Sequence, residues 1–362
     1  MKNYNYKEDF IISMMERAIE LSKKGRGDVS PNPLVGCVIV KDNKIIGEGY
    51  HEKYGLAHAE KNAIDNCVED PLGATAFITL EPCCITSKTP PCTNLLIENG
   101  IDEVFIAAKD PNPDINGKGI DILKKNGINV HCGFLKSDVS KLNKGFFKWV
   151  RYGLPWVTVK IAQNQEGFMG IDNETQTWIT NEQSKANVHY LRAKTDAILV
   201  GTQTARIDNP QLTVRKVPGC NPKRIVVDTN RTLPLDLNLY SDNQAETLVM
   251  CSDKLFDKNK AHNCRFIPVK DVNGELDLKD MMLKIANEGI TSILVESGPK
   301  LIESFNKANL IDELYIYTAD MEILNAKLKN PLNISDWDLK NTRMLGSNEL
   351  QVFKRKEACL QE

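Results

Sequence analysis

The apolar positions in the first part of the chain follow two periods, that of a helix and that of a strand. Apolar side chains recur with helical spacing over residues 8–24, which predicts an amphipathic helix that ends at the glycines beyond it. Two short apolar runs follow at residues 35–40 and 44–50, and an Asp-Asn pair separates them. This pattern predicts a β-hairpin.

Strands and helices then alternate up to residue 131. The predicted helices are 58–67, 94–98 and 120–125, and the predicted strands are 74–80, 103–108 and 128–131. Such alternation indicates an α/β domain with three layers. A basic, aromatic run of helical composition at residues 138–152 leads to Gly153 and Pro155, which mark a domain junction.

A second α/β series begins after this junction. The predicted strands are 156–162, 196–201, 224–228, 247–251 and 292–296, and the predicted helices are 182–194, 280–287 and 299–307. Thr180 or Asn181 is the expected N-cap of the first of these helices. From residue 322 the chain is polar and poorly patterned. We therefore expect two α/β domains, at residues 1–150 and 154–362.

Length and composition agree with a two-domain globular protein. The chain has 362 residues, which fits about two domains of about 150 residues. Hydrophobic residues make up 41% and charged residues 26%, which excludes collagen, coiled coil and disorder. The net charge of −2 gives no electrostatic signature of a nucleic-acid binder, so we expect no nucleic-acid partner.

The N-terminal residues and the cysteines bear on the compartment. The first ten residues are polar and mixed in charge, without the apolar core of a signal peptide. No stretch approaches the roughly 18 apolar residues that span a bilayer, so we expect a cytoplasmic protein without a membrane partner. Cysteines are reduced in that compartment, and clusters of them indicate a metal or catalysis before disulfides.

One group of residues has the spacing of a zinc site. His58 opens a predicted helix, Cys83 follows a predicted strand, and Cys92 opens the next helix. One imidazole and two thiolates form a three-ligand zinc site whose fourth position is left to water. Glu60 would lie beside that water and could carry its proton to a leaving amine.

The zinc deaminase pattern H-x-E followed by P-C-x-x-C matches only in its first half. Eight residues separate Cys83 from Cys92, where the pattern has two, and Cys84 is a second candidate ligand. Adjacent residues rarely point at one metal, so Cys92 is preferred. The other histidines and cysteines are interpreted as core or surface residues. They are His51, His131, His189 and His262, and Cys37, Cys67, Cys132, Cys220, Cys251, Cys264 and Cys359.

Five segments of the first half together resemble a known family. They are Pro31-Asn32-Pro33-Leu34-Val35-Gly36, His58-Ala59-Glu60, Thr79-Leu80-Glu81-Pro82-Cys83, Thr89-Pro90-Pro91-Cys92 and Asp110-Pro111-Asn112-Pro113. The chain resembles the bifunctional riboflavin-biosynthesis deaminase/reductases, in which the insertion between the two cysteines is usual. The resemblance implies a cytidine-deaminase-like three-layer α/β/α domain. It also implies zinc on His58, Cys83 and Cys92, Glu60 as the proton shuttle, and Asn32 at the substrate.

The second half is similar to the reductase of the same family. The matching segments are 178–180, 188–193, 196–201, 208–215 and 296–298. The resemblance implies a dihydrofolate-reductase-like α/β domain that uses NADPH. The positions implied for NADPH are Ala162, Trp178, Thr204, Asp208 and the loop from Gly298 to Ser304. Those implied for the substrate are Gln176, Arg192, Leu212, Arg215 and Glu296, and Lys160 lies near both ligands.

Physical chemistry supports part of this assignment. Arg192 and Arg215 carry planar forks that suit a ribose phosphate. Gly298 precedes a predicted helix whose N-terminus can take a cofactor phosphate. Taken singly, Arg192 is also consistent with a surface cation, and Trp178 with packing in the core.

The sequence departs from the family pattern in both halves. In the insertion, Ile85 replaces a His and Ser87-Lys88 replaces Gly-Arg. In the second half, 164–168 replaces the usual S-L-D-G-[KR], Ser297 replaces a Gly, and an Asn- and Lys-rich tail follows residue 321. Two interpretations remain: a divergent bifunctional enzyme, or a deaminase with a weakened reductase half.

The leading hypothesis is a homo-oligomeric enzyme of riboflavin biosynthesis. It would deaminate a phosphoribosylamino-pyrimidine with zinc and then reduce the ribosyl chain to ribityl with NADPH. A second hypothesis is a zinc deaminase of another pyrimidine or nucleoside, since Ile85 and Ser87-Lys88 alter the insertion. A tRNA deaminase is less favoured because no basic run is present. A third is a non-catalytic binding protein in which zinc is structural.

Overall fold

A computed structural model describes residues 5–86, 90–171, 176–256 and 264–356. Several residues singled out above lie outside the described residues, namely Ser87, Lys88, Thr89, His262 and Cys359. The chain forms two compact units, Met1–Gly153 and Leu154–Glu362. In the described part of the chain, every helix is too short or too polar to cross a membrane.

A five-stranded sheet forms the centre of the first unit, with the order β2-β1-β3-β4-β5. Its strands are β1 (Gly36–Lys41), β2 (Lys44–Tyr50), β3 (Thr75–Leu80), β4 (Glu103–Ala108) and β5 (Asn129–Cys132). β1 pairs antiparallel with β2 and with β3, whereas β3, β4 and β5 run parallel. Asp42 and Asn43 form the hairpin turn with φ of 48° and 61°, the left-handed values of a type I′ turn.

Helices cover both faces of this sheet. They are α1 (Glu8–Ser22), α2 (Ala59–Asp65), α3 (Cys92–Glu98), α4 (Lys118–Lys125), α5 (Lys136–Leu142) and α6 (Lys144–Tyr152). Apolar side chains of α1 and α5 pack on one face, and those of α2, α3 and α4 pack on the other. The expected three-layer α/β/α arrangement is therefore confirmed.

The basic, aromatic run near the end of this unit forms two helices rather than one. The break falls at Asn143, whose buried side-chain amide donates to the Leu34 carbonyl at 2.9 Å. Its Oδ1 accepts from the Leu34 main-chain N–H at 2.8 Å. Both bonds satisfy buried main-chain groups of a segment far away in the sequence, which local helical periodicity does not reveal.

A nine-stranded sheet forms the second unit, with the order β11-β10-β9-β8-β14-β6-β15-β18-β17. Its strands are β6 (Trp156–Asn164), β8 (Ala197–Gly201), β9 (Lys223–Val227), β10 (Thr247–Ser252), β11 (Cys264–Val269), β14 (Ser292–Val295), β15 (Glu313–Ala319), β17 (Trp337–Leu345) and β18 (Asn348–Arg355). The strands from β11 to β15 run parallel, and β18 and β17 add an antiparallel edge. β6 comes first in the sequence but lies between β14 and β15.

Helices also lie on both faces of the second sheet. They are α7 (Glu182–Arg192), α8 (Thr202–Asp208), α9 (Asn238–Ser241), α10 (Leu278–Asn287) and α11 (Pro299–Lys307). Side chains of α10 and α11 pack on one face, and those of α8 and α9 on the other. Two small ribbons pair β12 (Asp271–Val272) with β13 (Glu275–Leu276) and β16 (Leu328–Lys329) with β7 (Phe168–Gly170).

The polar stretch after residue 322 contains the hairpin of β17 and β18, which the sequence pattern did not reveal. β18 buries Leu350 and Phe353 against the rest of the sheet. β17 lies at the open edge, and its residues 339–344 are all exposed. A strand that faces water on both sides has no apolar alternation, and this explains why the pattern failed there.

Candidate functional site

Three side chains of the first unit meet at the ends of its elements. His58 immediately precedes α2, Cys83 follows β3, and Cys92 is the first residue of α3. His58 Nδ1 lies 3.5 Å from Cys83 Sγ and 3.3 Å from Cys92 Sγ. Their ligand atoms all lie within 4.8 Å of one another. The structure therefore brings together the three predicted ligands.

The separations of these ligand atoms fit a zinc ion. Zn–N bonds of about 2.0 Å and Zn–S bonds of about 2.3 Å place tetrahedral ligand atoms roughly 3.5 Å apart. The donor set of one imidazole and two thiols is also the one that zinc prefers. Three of the described residues form the group, which leaves the fourth position of a tetrahedral ion to water or substrate as far as these residues are concerned.

The thiol of Cys83 is polarised toward the thiolate. A hydrogen bond with the Cys92 thiol, supported by the His58 side chain, lowers the pKa of Cys83 to about 4. The Cys92 main-chain N–H also donates to Cys83 Sγ at 3.3 Å. A thiolate is the form of cysteine that binds metal.

Glu60 lies in the first turn of α2, two residues after His58. Only 3% of its surface is exposed, and its carboxyl shares a hydrogen bond with the Cys92 side chain. Burial, followed by the nearby Cys83 charge, raises the pKa of Glu60 to about 7. A carboxyl with such a pKa can both accept and release a proton near neutral pH.

Cys84 does not join this group. Its Sγ lies 3.9 Å from the Asp114 carbonyl oxygen, and burial raises the pKa of its thiol. The described residues that can share one metal ion are His58, Cys83 and Cys92. The preference for Cys92 over Cys84 therefore agrees with the geometry.

Asn32 lies beside a histidine that sequence reasoning took to be structural. The Asn32 side-chain nitrogen is 3.1 Å from His51 Nε2, and His51 Nδ1 is 3.0 Å from the Ala57 carbonyl oxygen. Because that carbonyl only accepts, Nδ1 carries the proton and Nε2 accepts from Asn32. The His51 ring also packs against His58 with centroids 5.5 Å apart. The packing of these rings has no signal in the sequence.

Glu81 is a second residue of this region that sequence reasoning missed. Its buried carboxylate accepts main-chain N–H bonds from Asp110 at 3.3 Å, Gly117 at 3.0 Å and Ile120 at 3.3 Å. These bonds hold the loop after β4 beside the segment that carries Cys83. The family segment that contains Glu81 was recognised, but its spacing does not reveal this role.

The second unit contains a large cavity at the carboxyl ends of its parallel strands. Its volume is 1390 Å³. In open parallel sheets, this edge is where ligands bind. The reductase residues implied by the resemblance contribute to its wall, except Ile302 and Glu303 of the Gly298–Ser304 loop: Lys160, Ala162, Gln176, Trp178, Arg192, Thr204, Asp208, Leu212, Arg215, Glu296, Gly298 and Ser304.

Arg192 and Glu296 form a bidentate ion pair in this wall. Arg192 Nε and Nη2 donate to the two Glu296 oxygens at 2.7 and 2.9 Å, and both side chains are 12% exposed. Arg192 Nη1 also donates to the Thr213 carbonyl at 3.2 Å. Arg192 is therefore not a surface cation. Its guanidinium was expected to hold a phosphate, and in this structure it binds the Glu296 carboxylate.

A charged group surrounds Lys160 on the cavity floor. Burial lowers the pKa of the Lys160 ammonium, while the Glu296 and Asp208 charges oppose that shift. Burial raises the pKa of Asp208, and Lys160 opposes it. Perturbed groups of this kind in a cavity are typical of functional sites.

Trp178 and Arg215 lie at the rim of the cavity. Trp178 is 65% exposed, so it is not packed in the core, and Lys185 Nζ lies 4.8 Å from its ring centroid. Arg215 Nη1 donates to Gln211 Oε1 and Thr213 Oγ1, each at 2.6 Å. Arg215 is exposed, so its guanidinium is a cation available to an anionic group of a ligand.

The N-terminus of α11 opens into the same cavity. Gly298 is its N-cap, no side chain caps it, and a β-carbon at Gly298 would meet no atom within 4 Å. Such a helix end offers free N–H groups to a phosphate. Together with the volume of the cavity, this open helix end fits a dinucleotide such as NADPH.

Two of the sequence departures have a structural explanation. Ser297, which replaces a Gly, accepts the Gly201 main-chain N–H at 3.2 Å and so joins the ends of β14 and β8. Asn164 accepts N–H bonds from Glu166 at 3.1 Å and Phe168 at 2.9 Å, which close the turn after β6. Both replacements therefore keep the local backbone ordered.

Two family models match the chain. The cytidine and deoxycytidylate deaminase zinc-binding region matches residues 9–108, and the RibD C-terminal domain matches residues 155–322. The riboflavin biosynthesis protein RibD of Actinobacillus pleuropneumoniae is 38% identical over 352 residues, covering 94% of each chain. RibD of Escherichia coli is 37% identical over 319 residues, covering 84% of this chain and 86% of that protein.

Solved structures show the same similarity over both units. RibD of Acinetobacter baumannii is 31% identical with a TM-score of 0.85, covering 97% of this chain and 100% of that chain. The diaminohydroxyphosphoribosylaminopyrimidine deaminase/5-amino-6-(5-phosphoribosylamino)uracil reductase of Thermotoga maritima is 32% identical with a TM-score of 0.85, covering 96% and 99%.

Proposed function

The chain belongs to the RibD family of bifunctional deaminase/reductases of riboflavin biosynthesis, and from this premise we propose how its own residues perform the two reactions. The unit up to Gly153 is the zinc-dependent deaminase, and the unit from Leu154 is the NADPH-dependent reductase. The deaminase acts on 2,5-diamino-6-(5-phosphoribosylamino)pyrimidin-4-one. The observation that carries this proposal is that one chain contains both sites: the His58, Cys83 and Cys92 group in the first unit and the ligand-sized cavity in the second.

In the deaminase, His58, Cys83 and Cys92 hold the zinc ion. Zinc held by these three residues would supply a water-derived nucleophile near neutral pH. Glu60 accepts the proton of the attacking water and delivers it to the exocyclic amine, which leaves as ammonia. Asn32, oriented by His51, donates its amide to the substrate.

In the reductase, bound NADPH would supply the hydride for reduction at C1 of the ribosyl group. We assign Ala162, Trp178, Thr204, Asp208 and the Gly298–Ser304 segment to NADPH. Gln176, Leu212, Arg215 and Glu296 contact the pyrimidine substrate, and Arg192 acts by holding Glu296. Lys160 supplies the proton that the opening ribose ring oxygen takes up, since burial lowers the pKa of its ammonium.

Two alternatives have less support from the geometry. The residues implied for NADPH and for the substrate line one open cavity of 1390 Å³, which supports a working reductase over a weakened one. A purely structural zinc would have four protein ligands, whereas three of the described residues form the group. A buried acid such as Glu60 beside that group favours chemistry.

We also propose a homo-oligomeric enzyme of the cytoplasm with a small-molecule substrate and no nucleic-acid partner. None of the nine cysteines in the described part of the chain forms a disulfide, which suits a reducing compartment. Light scattering on the purified chain measures the oligomeric state, and a monomer at micromolar concentration would contradict that part of the proposal.

The direct test supplies the full-length protein with the diamino pyrimidine phosphate and NADPH. We expect ammonia release followed by NADPH oxidation, because the product of the first site is the substrate of the second. Ammonia without NADPH oxidation would support the weakened-reductase alternative. Neither signal from a zinc-loaded protein would defeat the proposal.

Gly298→Ser tests the cofactor site without disturbing the fold. Serine is at least as good an N-cap as glycine, so the free energy of unfolding should be unchanged or higher by a few tenths of a kcal/mol. Its hydroxyl would accept one of the free N–H groups of the first turn of α11 and occupy the open space at Gly298. We expect the KM for NADPH to rise about 3- to 10-fold.

Ammonia release is the internal control for Gly298→Ser and should stay at the wild-type rate. Thermal unfolding should show no loss of stability. If the variant is equally stable and its KM for NADPH does not change, the N-terminus of α11 does not hold the cofactor phosphate.

A further inference from the structure

We propose that His189 is a positioning residue of the reductase, which fixes the substrate-facing segment 211–215 by accepting the Arg215 main-chain N–H. This proposal rests on the reductase function proposed above. It adds a residue outside the positions that the family resemblance matched to cofactor or substrate. The sequence alone had indicated a structural histidine.

Segment 211–215 has a backbone that needs external support. Leu212 is 2% exposed and has a φ of 53°, which is unusual for a bulky side chain. Four side chains from outside the segment hold its main chain. Arg224 donates to the Gln211 carbonyl and Arg192 donates to the Thr213 carbonyl, both at 3.2 Å. The Val214 N–H donates to the Asn221 side chain at 2.8 Å, and the Arg215 N–H donates to His189 at 3.0 Å.

His189 accepts the last of these bonds, from the main chain of Arg215. His189 is 6% exposed and lines the same cavity as Arg215. His189 and Arg192 are three residues apart on α7, so one face of this helix holds both Thr213 and Arg215. A change at His189 therefore moves Arg215 relative to Glu296 while the Arg192 contacts remain.

The imidazole has the protonation state that this role requires. Burial, with the Arg192 and Arg215 charges adding to it and Glu296 opposing it, lowers the pKa of His189 to about 4. At neutral pH the ring is uncharged, and its Nδ1 lone pair can accept the Arg215 N–H. The 3.0 Å distance between the Arg215 main-chain nitrogen and His189 Nδ1 supports this hydrogen bond by itself, without the pKa.

Asparagine and glutamine separate this role from simple packing. The Asn Oδ1 stands close to the place of Nδ1 and can accept the Arg215 N–H, whereas the Gln oxygen reaches the place of Nε2. We compare His189→Asn, His189→Gln and His189→Ala in the full-length protein. The readouts are KM for the deaminated pyrimidine, KM for NADPH, and ammonia release by the other unit.

We expect His189→Gln and His189→Ala to raise KM for the pyrimidine about 3- to 10-fold, the effect of one lost hydrogen bond. KM for NADPH and ammonia release should stay within about twofold, and His189→Asn should restore most of the pyrimidine KM. Equal impairment by Asn and Gln would overturn the proposal, as would a wild-type KM in both Gln and Ala. If His189→Ala does not fold, the Asn and Gln pair decides alone.

A readout that needs no turnover separates this proposal from the proposed function. Amide hydrogen exchange of a peptide covering residues 209–216 should be faster in His189→Gln than in the wild type, and close to the wild type in His189→Asn. Unchanged exchange in His189→Gln would defeat the positioning role. Absence of NADPH oxidation in the wild type would instead defeat the reductase function.

Discussion

Replacing Glu60 with Gln should lower the rate of ammonia release by about 10²- to 10⁴-fold, the usual contribution of a general acid–base. The amide keeps the shape of the side chain but cannot take a proton from water and release it to the amine. Zinc content should stay at the wild-type value, because Glu60 is not among the three residues whose ligand atoms converge.

The second unit provides the control for Glu60→Gln. With the deaminated pyrimidine supplied directly, NADPH oxidation should proceed at the wild-type rate. Measured ammonia release near the wild-type rate would refute the shuttle role. A loss of zinc, measured by atomic absorption, would show that Glu60 supports the metal instead.

Replacing Cys83 with Ser should abolish both zinc binding and ammonia release, whereas Cys84→Ser should preserve both. The two cysteines are adjacent, yet Cys83 Sγ lies 3.5 Å from His58 Nδ1 while Cys84 Sγ contacts the Asp114 carbonyl. A serine hydroxyl is a poor zinc ligand beside a thiolate, so the site loses one of three protein donors.

Metal analysis after dialysis and an ammonia assay decide between the two cysteines. The pair is matched in position and chemistry, so a general effect of cysteine removal would act on both variants. Zinc loss in Cys84→Ser with retention in Cys83→Ser would reverse the assignment. Retention in both would mean that the metal is held elsewhere.

The sequence predicted the helices and strands that have one buried face, because a buried face requires apolar residues at regular spacing. The helix at Glu8–Ser22 and the strand at Glu103–Ala108 were predicted within a few residues. The break at Asn143 was missed because its cause is a pair of bonds to Leu34, 109 positions away in the sequence. The exposed strand β17 was missed because no face of it is apolar.

Some residues of the candidate sites could be predicted from the sequence and others could not. His58 and Glu60 match the first half of the zinc deaminase motif, whereas Cys92 departs from that motif in its distance from Cys83 and was supported as a ligand by the family resemblance. Residues that act through main-chain contacts, such as His51, Glu81 and His189, have no spacing rule. Arg192 was expected at the substrate, and the structure places it in the cavity wall with its guanidinium bound to Glu296.

The position of β6 has a consequence for the synthesis of this chain on the ribosome. Trp156 pairs with Ser292 on one side, and Thr158 pairs with Glu313 on the other. At ribosomal speeds of roughly 5–20 residues per second, the partners of β6 emerge on the order of ten seconds after it. During that interval the apolar side chains of β6 lack their final neighbours, while the preceding unit is already fully synthesised. We therefore expect the nascent second unit, rather than the completed first one, to expose an unpaired apolar strand during synthesis.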